Sequence, residues 1–399
     1  MTPKPFRLAV VNSHPIQYFA PLYEYLNRDE GLEVTALYCS DFSLRGGLDP
    51  GFGQAVQWDV DLLNGYPSVF LGPHARTRVP AGFWSLVCPE VWTAIRRGKY
   101  DAVLLHGYAY GADVLAFLAA KSCGIPVFLR SETHLGLRRR AWKVRVRDGV
   151  LSVAFRFVDR FLAIGTANRE YYRALGVPAE KIFDVPYTVD NDRFMQASTL
   201  SREERAGVRQ RFGLPVDRPV VLFASKFIPR KHPEDVIRAV ARLRDEGVDA
   251  SLLMVGTGEM DAALKALVVD YNLDGRVVFG GFVNQSELPR VYAASDVCVL
   301  PAESEPWGLI VNEVMCAGIP VVVAAEIGCV PDLVQDGRTG LLMPAGDVPA
   351  LAAALRRLLT SDADRLDMGR RARDLIAGWS YERCRLGIIA AARSVQVAG

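Results

Sequence analysis

DVCVLPAESEPWGLIVNEVMCAGIPVVVAA, residues 296–325, sets two apolar β-branched runs on either side of a polar loop and a segment of helical length. The first run ends at Pro301, AESEPWG reads as a loop, and the segment from about Leu309 reads as a helix closed by Gly318 and Pro320. Strand, loop, helix and strand in that order make a parallel crossover unit, and uninterrupted apolar strands belong to sheets covered on both faces. In such sheets ligands collect at the carboxyl ends of the strands, where loops meet helix N-termini. Glu305 and Glu313 fall there, and a carboxylate beside a buried sheet costs free energy unless something pairs with it. Gly308 would let the backbone approach a ligand, and the free N–H groups of the first helical turn form a natural anion site. One carboxylate for ribose hydroxyls, one for sugar hydroxyls and amides for a diphosphate would suit a nucleotide sugar. Two isolated glutamates would instead be a solvated loop residue and a solvated helix face.

The same alternation runs outward in both directions. RLAVVNS, LEVTALYCS, YDAVLLHG, GIPVFLRS and RFLAIGT recur through the first half, and PVVLFASK, ASLLMVGTG, RVVFGGF and GLLMPAG join the two quoted runs in the second. The pattern predicts an α/β fold of two doubly wound parallel-sheet domains, as the length of 399 residues also suggests. The domains are placed at 1–195 and 205–378, joined where apolar periodicity lapses near 185–204. The segment from 379 to 399 is a last helix.

A formal charge of +2 is too near neutral for a general nucleic-acid binder, so no nucleic-acid partner is expected. Seven cysteines without a C-x-x-C argue for reduced thiols, and the N-terminus lacks a signal or membrane span. A cytoplasmic protein, at most peripheral at the inner membrane surface, is the expectation. No G-x-G-x-x-G follows the first strand, which removes the main sign of a dinucleotide oxidoreductase. The D-x-D strings at Asp59–Asp61, Asp190–Asp192 and Asp362–Asp364 follow no convincing central strand, and no metal or other cofactor is expected.

Residues 277–347 resemble the signature of the large retaining glycosyltransferase family four, which has the GT-B fold. Glu305 and Glu313 match its E-x7-E, with GIPVVVA (318–324) and DGRTGLL (336–342) following in order. The likeness continues upstream through LLMVGTGE (252–259), FASKFIPRKHPEDVIRAV (223–240) and YYRALGVPAEKIFDVPYTVDNDRF (171–194). The resemblance implies two Rossmann-like domains facing across a cleft, the donor on the C-terminal one, the acceptor on the N-terminal one, and a final helix crossing back. It places the diphosphate-gripping Arg-x4-Lys on Lys226 and Lys231, with Lys for Arg at the first and His232 for a usual Gly. Glu313 would hold the donor ribose and Glu305 the donor sugar. Gly308 with Leu309 would support the phosphate beside Trp307. Phe282 and Val283 lie near the base, with Gly256 and Gly258 at the neighbouring strand end. Lys226, Lys231 and Glu305 are the catalytic candidates.

The amino-terminal half departs from the family pattern. NSHPIQYFAPLY stands where many relatives have a Gly-Gly loop, which makes His14 and Gln17 acceptor-side candidates. Where many relatives have a histidine, the register puts Glu132, with His134 two residues on and His106 as a third possibility. The implied reaction moves a hexose-type sugar from a nucleoside diphosphate, UDP being commonest among relatives, to an acceptor hydroxyl with retention. The acceptor would be a glycan, a lipid-linked sugar or a small molecule. A nucleotide-sugar epimerase on the same fold and an inactive nucleotide-sugar-binding protein are the alternatives. In LRRRAWKVRVRDG (137–149), Arg138, Arg139, Arg140, Lys143, Arg145 and Arg147 are either a solvated face or a patch for an anionic acceptor or acidic lipid headgroups.

Overall fold

The computed structural model describes residues 4–49, 51–72, 82–137 and 141–396. Among the described residues, nine strands belong to the first half: β1 Phe6–Asn12, β2 Leu32–Tyr38, β3 Gly47–Asp49, β4 Gln54–Val56, β5 Ser68–Phe70, β6 Ala102–His106, β7 Val127–Arg130, β8 Arg160–Ala163 and β9 Ile182–Asp184. Six belong to the second: β10 Val220–Ala224, β11 Ser251–Val255, β12 Val277–Gly281, β13 Val297–Leu300, β14 Val321–Ala324 and β15 Gly340–Met343. Two parallel sheets result, ordered β5-β2-β1-β6-β7-β8-β9 and β12-β11-β10-β13-β14-β15, while β3 and β4 form a separate antiparallel hairpin.

Strand β1 shows why the runs are continuously apolar. Leu8 and Val10 join the core on one face of the sheet, Ala9 and Val11 the core on the other, and all four are buried. Each sheet reverses its strand order once, between β1 and β6 in the first and between β10 and β13 in the second. Loops leaving adjacent strands at such a reversal diverge to opposite faces and open a crevice. The two crevices face each other.

The chain crosses between domains earlier than the boundary at 195 suggests. Helix Asn191–Ala197 packs on helices Leu309–Cys316 and Leu288–Ala294 of the second half. Asn191 Nδ2 donates to the carbonyls of Ile376 (2.8 Å) and Trp379 (3.2 Å). The last helix, Tyr381–Gln396, returns to the first sheet, packing on β8, β9 and helix Ala20–Leu26. Arg160 fixes its far end by donating to the Ser394 carbonyl at 2.7 Å.

Candidate functional site

Helix Leu309–Cys316 begins at Gly308, whose φ of +92° favours glycine and whose Cβ position lies tight against the Leu300 and Ile327 side chains. No side chain caps this helix, so its first-turn amides face the crevice. The turn Pro229–Lys231, following β10, brings Lys231 opposite. Its buried ammonium ion-pairs with Glu305, whose carboxylate also has Arg230 at 3.5 Å. Burial holds the Lys231 amine below its ordinary pKa, with the Glu305 charge opposing that shift. Lys231, Glu305, Trp307, Gly308 and Leu309 line one cavity of about 230 Å³.

An adjoining cavity of about 140 Å³ is lined by Gly256, Phe282, Val283 and Glu313, and shares Tyr18, Ala224, Ser225 and Ile310 with the first. Glu313 is 2% exposed. Tyr292 donates its hydroxyl to Glu313 Oε2 at 2.5 Å, whereas Oε1 is buried with no partner at hydrogen-bond distance among the described residues, the Tyr18 hydroxyl also acting on this carboxylate. Burial raises the Glu313 pKa, and Tyr18 beside it is raised well above the phenolic range by burial and by that carboxylate. An acceptor-only oxygen held dry at a cavity wall invites a hydroxyl donor.

The first sheet contributes a third cavity of about 390 Å³ at its own strand-order reversal, lined by Asn12, His106, Tyr108, Arg130, Glu132 and Tyr187 among others. Glu132 and Tyr187 also line the cavity at Glu305, so the three spaces run in series. Glu132 is ringed by protein yet open to the cleft, and burial raises its pKa. His106 Nε2 lies 2.9 Å from the Tyr23 hydroxyl, and its ring stacks on Phe19. Burial and the nearby Arg130 charge push its pKa well below the imidazole range.

The remaining candidates are held elsewhere. Lys226 donates to both oxygens of Asp49, at 2.8 and 2.9 Å, with its ammonium 4.7 Å from the Phe52 ring centre. His134 accepts at Nδ1 from the Gly136 N–H, which leaves Nε2 to donate to the Glu305 carbonyl at 3.2 Å. It therefore clasps the two domains as a neutral tautomer. His14 contacts Ser13 and packs edge-on to Phe42, and burial lowers its pKa to about 4. His14, Gln17 and His134 do not line the three cavities, nor does Gly258, whose N–H binds Asp261. Trp307 spends its N–H on Asn312 and stacks on Trp379, which makes it a buried joint at the cavity floor. Asp190 of a D-x-D string caps a helix through the Arg193 N–H. One group of three side chains with metal-ligand character, His232, Glu234 and Asp235, lies beside Lys231 among the described residues. Sequence reasoning missed Phe52, Trp58, Arg130, Tyr187 and Tyr292, which line the cavities only through tertiary contacts, and Asp49, the partner of Lys226.

Two sequence families match this chain: "Glycosyl transferase 4-like domain" over residues 15–188 and "Glycosyl transferases group 1" over residues 204–375. An alpha-D-kanosaminyltransferase of Streptomyces kanamyceticus is 30% identical over 64% of the chain and 67% of its own length. A D-inositol 3-phosphate glycosyltransferase of Saccharomonospora viridis is 28% identical over 95% of the chain and 92% of its own length. Among further relatives the matched share falls to about half of the relative's length. In fold, Anabaena HepE crystallised with UDP and glucose superposes with a TM-score of 0.71, covering 98% of this chain and 99% of that one at 18% identity.

Proposed function

Because this chain belongs to the group 1 glycosyltransferases of family four, with the GT-B fold, we propose that it transfers a hexose-type sugar from a UDP-sugar to an acceptor hydroxyl with retention at the anomeric carbon. One observation carries the reading above all: Glu313 Oε1, a dry acceptor with no hydrogen-bond partner among the described residues, stands in the wall of the second cavity and suits the hydroxyls of a ribose. The diphosphate would then lie toward Lys231 and the open helix end at Gly308, with the sugar against Glu305. Binding of UDP by Anabaena HepE, a protein of the same fold, supports the choice of base.

In the proposed reaction the bond from the anomeric carbon to the diphosphate oxygen breaks while the acceptor oxygen bonds to the same face. The acceptor's proton passes to the departing diphosphate oxygen. Negative charge grows on the leaving group, where Lys231 and the helix amides would meet it already oriented. This supply of positive charge supports a reaction without a bound metal. A thermal-shift panel of UDP-, GDP-, ADP- and dTDP-hexoses tests the donor, because a ligand of the folded state raises apparent stability. UDP-sugars should raise the midpoint and keep doing so in EDTA; no shift with any nucleotide sugar would overturn the proposal. Conversion of the donor without acceptor would mark an epimerase instead.

Helix Ala141–Ala154 and the turn after it supply a further observation about the acceptor's setting. Trp142, Val146, Val150, Val153 and Phe157 recur at helical spacing and are each more than half exposed, with Arg145 and Arg156 beside them. Arg138, Arg139 and Arg140 lie outside the described residues, as does the Lys143 side chain. An apolar stripe flanked by arginines fits the surface of an anionic bilayer. No helix among the described residues is long and apolar enough to cross one. We propose peripheral contact with such a membrane, and co-sedimentation with phosphatidylglycerol vesicles that Val150→Asp does not weaken would refute it.

A further inference from the structure

The hairpin β3–β4 belongs to the first half of the chain by sequence and to the donor crevice by contact. Its Phe52 and the following Trp58 line the 140 Å³ cavity together with Phe282 of the second half. Phe52 meets Phe282 edge-on at 5.2 Å, and Trp58 is tilted over it at 6.1 Å. Polar contacts hold the hairpin there. Thr257 donates to the Phe52 carbonyl at 2.7 Å, and Asn284 to the Gln57 carbonyl at 2.7 Å. Asp59 accepts from the Ser286 N–H at 3.1 Å and from the Ser286 hydroxyl. Beside these, Asp49 occupies the Lys226 ammonium with both carboxylate oxygens.

We propose that this hairpin completes the nucleoside site, with Phe52 and Trp58 as base-contacting residues, and that Asp49 stands in for the donor's diphosphate on Lys226 until a nucleoside diphosphate displaces it. The inference rests on the donor reading above. Three aromatic rings around one small cavity form a stacking enclosure for a planar base. A bidentate carboxylate on an ammonium presents the same charge and spacing as two phosphate oxygens, so the two occupants exclude each other. Lys226 is 32% and Asp49 18% exposed on their side chains, so the pair is partly open and a diphosphate would compete with the carboxylate for the ammonium. The apparent donor affinity is then the intrinsic affinity reduced by the fraction of molecules in which Lys226 is free.

Calorimetric titration with UDP and with uridine separates these roles. Asp49→Asn should bind UDP about three- to tenfold more tightly and uridine unchanged, and the gain should vanish in the Lys226→Ala background. Phe52→Ala and Trp58→Ala should weaken UDP and uridine alike, by about tenfold each, as loss of one stacking partner does. Unchanged or weaker UDP binding by a folded Asp49→Asn variant overturns the exchange, and unchanged uridine binding by Phe52→Ala and Trp58→Ala overturns the base contact. Wild-type protein that binds neither ligand would instead defeat the donor reading on which both rest.

Discussion

Replacing Lys231 by Met removes one charge from the place where the donor's diphosphate is expected and leaves a side chain of similar length. Lys231 is 8% exposed, so its ammonium acts with little screening by water. A charge-assisted hydrogen bond is worth about 1.5–3 kcal/mol, or about 10- to 150-fold in a binding constant. The same substitution strips Glu305 of its ion-pair partner, which in a sealed interior costs about 3–5 kcal/mol. Glu305 keeps Arg230 at 3.5 Å and opens onto the cleft, so the cost falls short of that and the fold survives. UDP should bind about 10- to 150-fold more weakly to Lys231→Met by calorimetry. Uridine, which has no phosphate, should bind within twofold of wild type. Turnover should fall at least about a hundredfold, since charge grows on the leaving group beyond what it carries in the bound donor. A threefold loss or less for UDP, or an equal loss for uridine, would refute the placement of the diphosphate.

Three further predictions concern charge and pH. The Lys231 pKa is lowered in the folded protein, so protonation of this group opposes folding, and its contribution to stability improves as pH rises toward the ordinary lysine value of 10.5. UDP affinity needs the ammonium and should fall with rising pH from below 10.5; Lys231→Arg should move that alkaline limb upward, and a limb that stays in place would exclude Lys231 as its source. Glu313 is the reverse case, an acid with a raised pKa, so the stability it contributes is present below about pH 4.5 and lost as pH rises through its folded pKa. Glu313→Gln should therefore gain thermal stability over wild type at pH 8 but not at pH 4. It should bind uridine about tenfold or more weakly while leaving 2′,3′-dideoxyuridine unaffected, and equal losses for both nucleosides would take the ribose away from Glu313. Finally, Asp296 is bound by Arg209 at 2.6 Å, Arg205 at 2.7 Å and the Val220 N–H at 2.7 Å, far from the cleft. Asp296→Ala strands the buried Arg209 and should cost about 3–5 kcal/mol in urea denaturation, with UDP affinity kept; a cost under 1 kcal/mol would show the network to be dispensable.

The second sheet was legible almost strand for strand, because its inner strands β11, β13 and β14 are buried on both faces and β10 nearly so, and each announces itself as an apolar run, while the edge strands β12 and β15 keep apolar residues although they are partly exposed. The first sheet was less so. Strands β5 and β9 are three residues long, and the β3–β4 hairpin carries no alternation that a window could detect. The candidate site divides along the same line. Glu305, Gly308 and Glu313 share one loop and one helix, so their spacing alone put them at a strand end. The partners that decide their chemistry are distant in sequence. Asp49 lies 177 positions from Lys226, and the carbonyl that holds His134 lies 171 positions away. His134 shows the limit clearly: its place near the cleft was readable, but the tautomer was fixed by the Gly136 N–H, a local turn that no side-chain pattern encodes.

What the sequence could not supply is the continuity of the cleft, and that continuity rests on three residues of the first half. Tyr18 joins the 140 and 230 Å³ cavities, while Glu132 and Tyr187 join the 230 Å³ cavity at Glu305 to the 390 Å³ cavity of the first sheet. Burial raises the Glu132 pKa, the Tyr187 hydrogen bond and the Arg130 charge oppose that shift, and the charge of Glu305 adds to it more weakly, so two carboxylates repel each other across the position where the proposal sets the sugar. Hydroxyl groups placed between them would donate to both and relieve that repulsion, whereas a second anion there would aggravate it. In the proposed complex the donor's negative charge would thus be steered toward Lys231 and the helix end. The neutral, hydroxyl-rich part of the substrate is steered toward the seam between the domains, where an acceptor hydroxyl coming from the 390 Å³ cavity would meet it. The returning helix Tyr381–Gln396 packs on the first sheet, and Trp307 of the second half stacks on Trp379 just before it, so both help hold the seam at which the proposal sets the sugar.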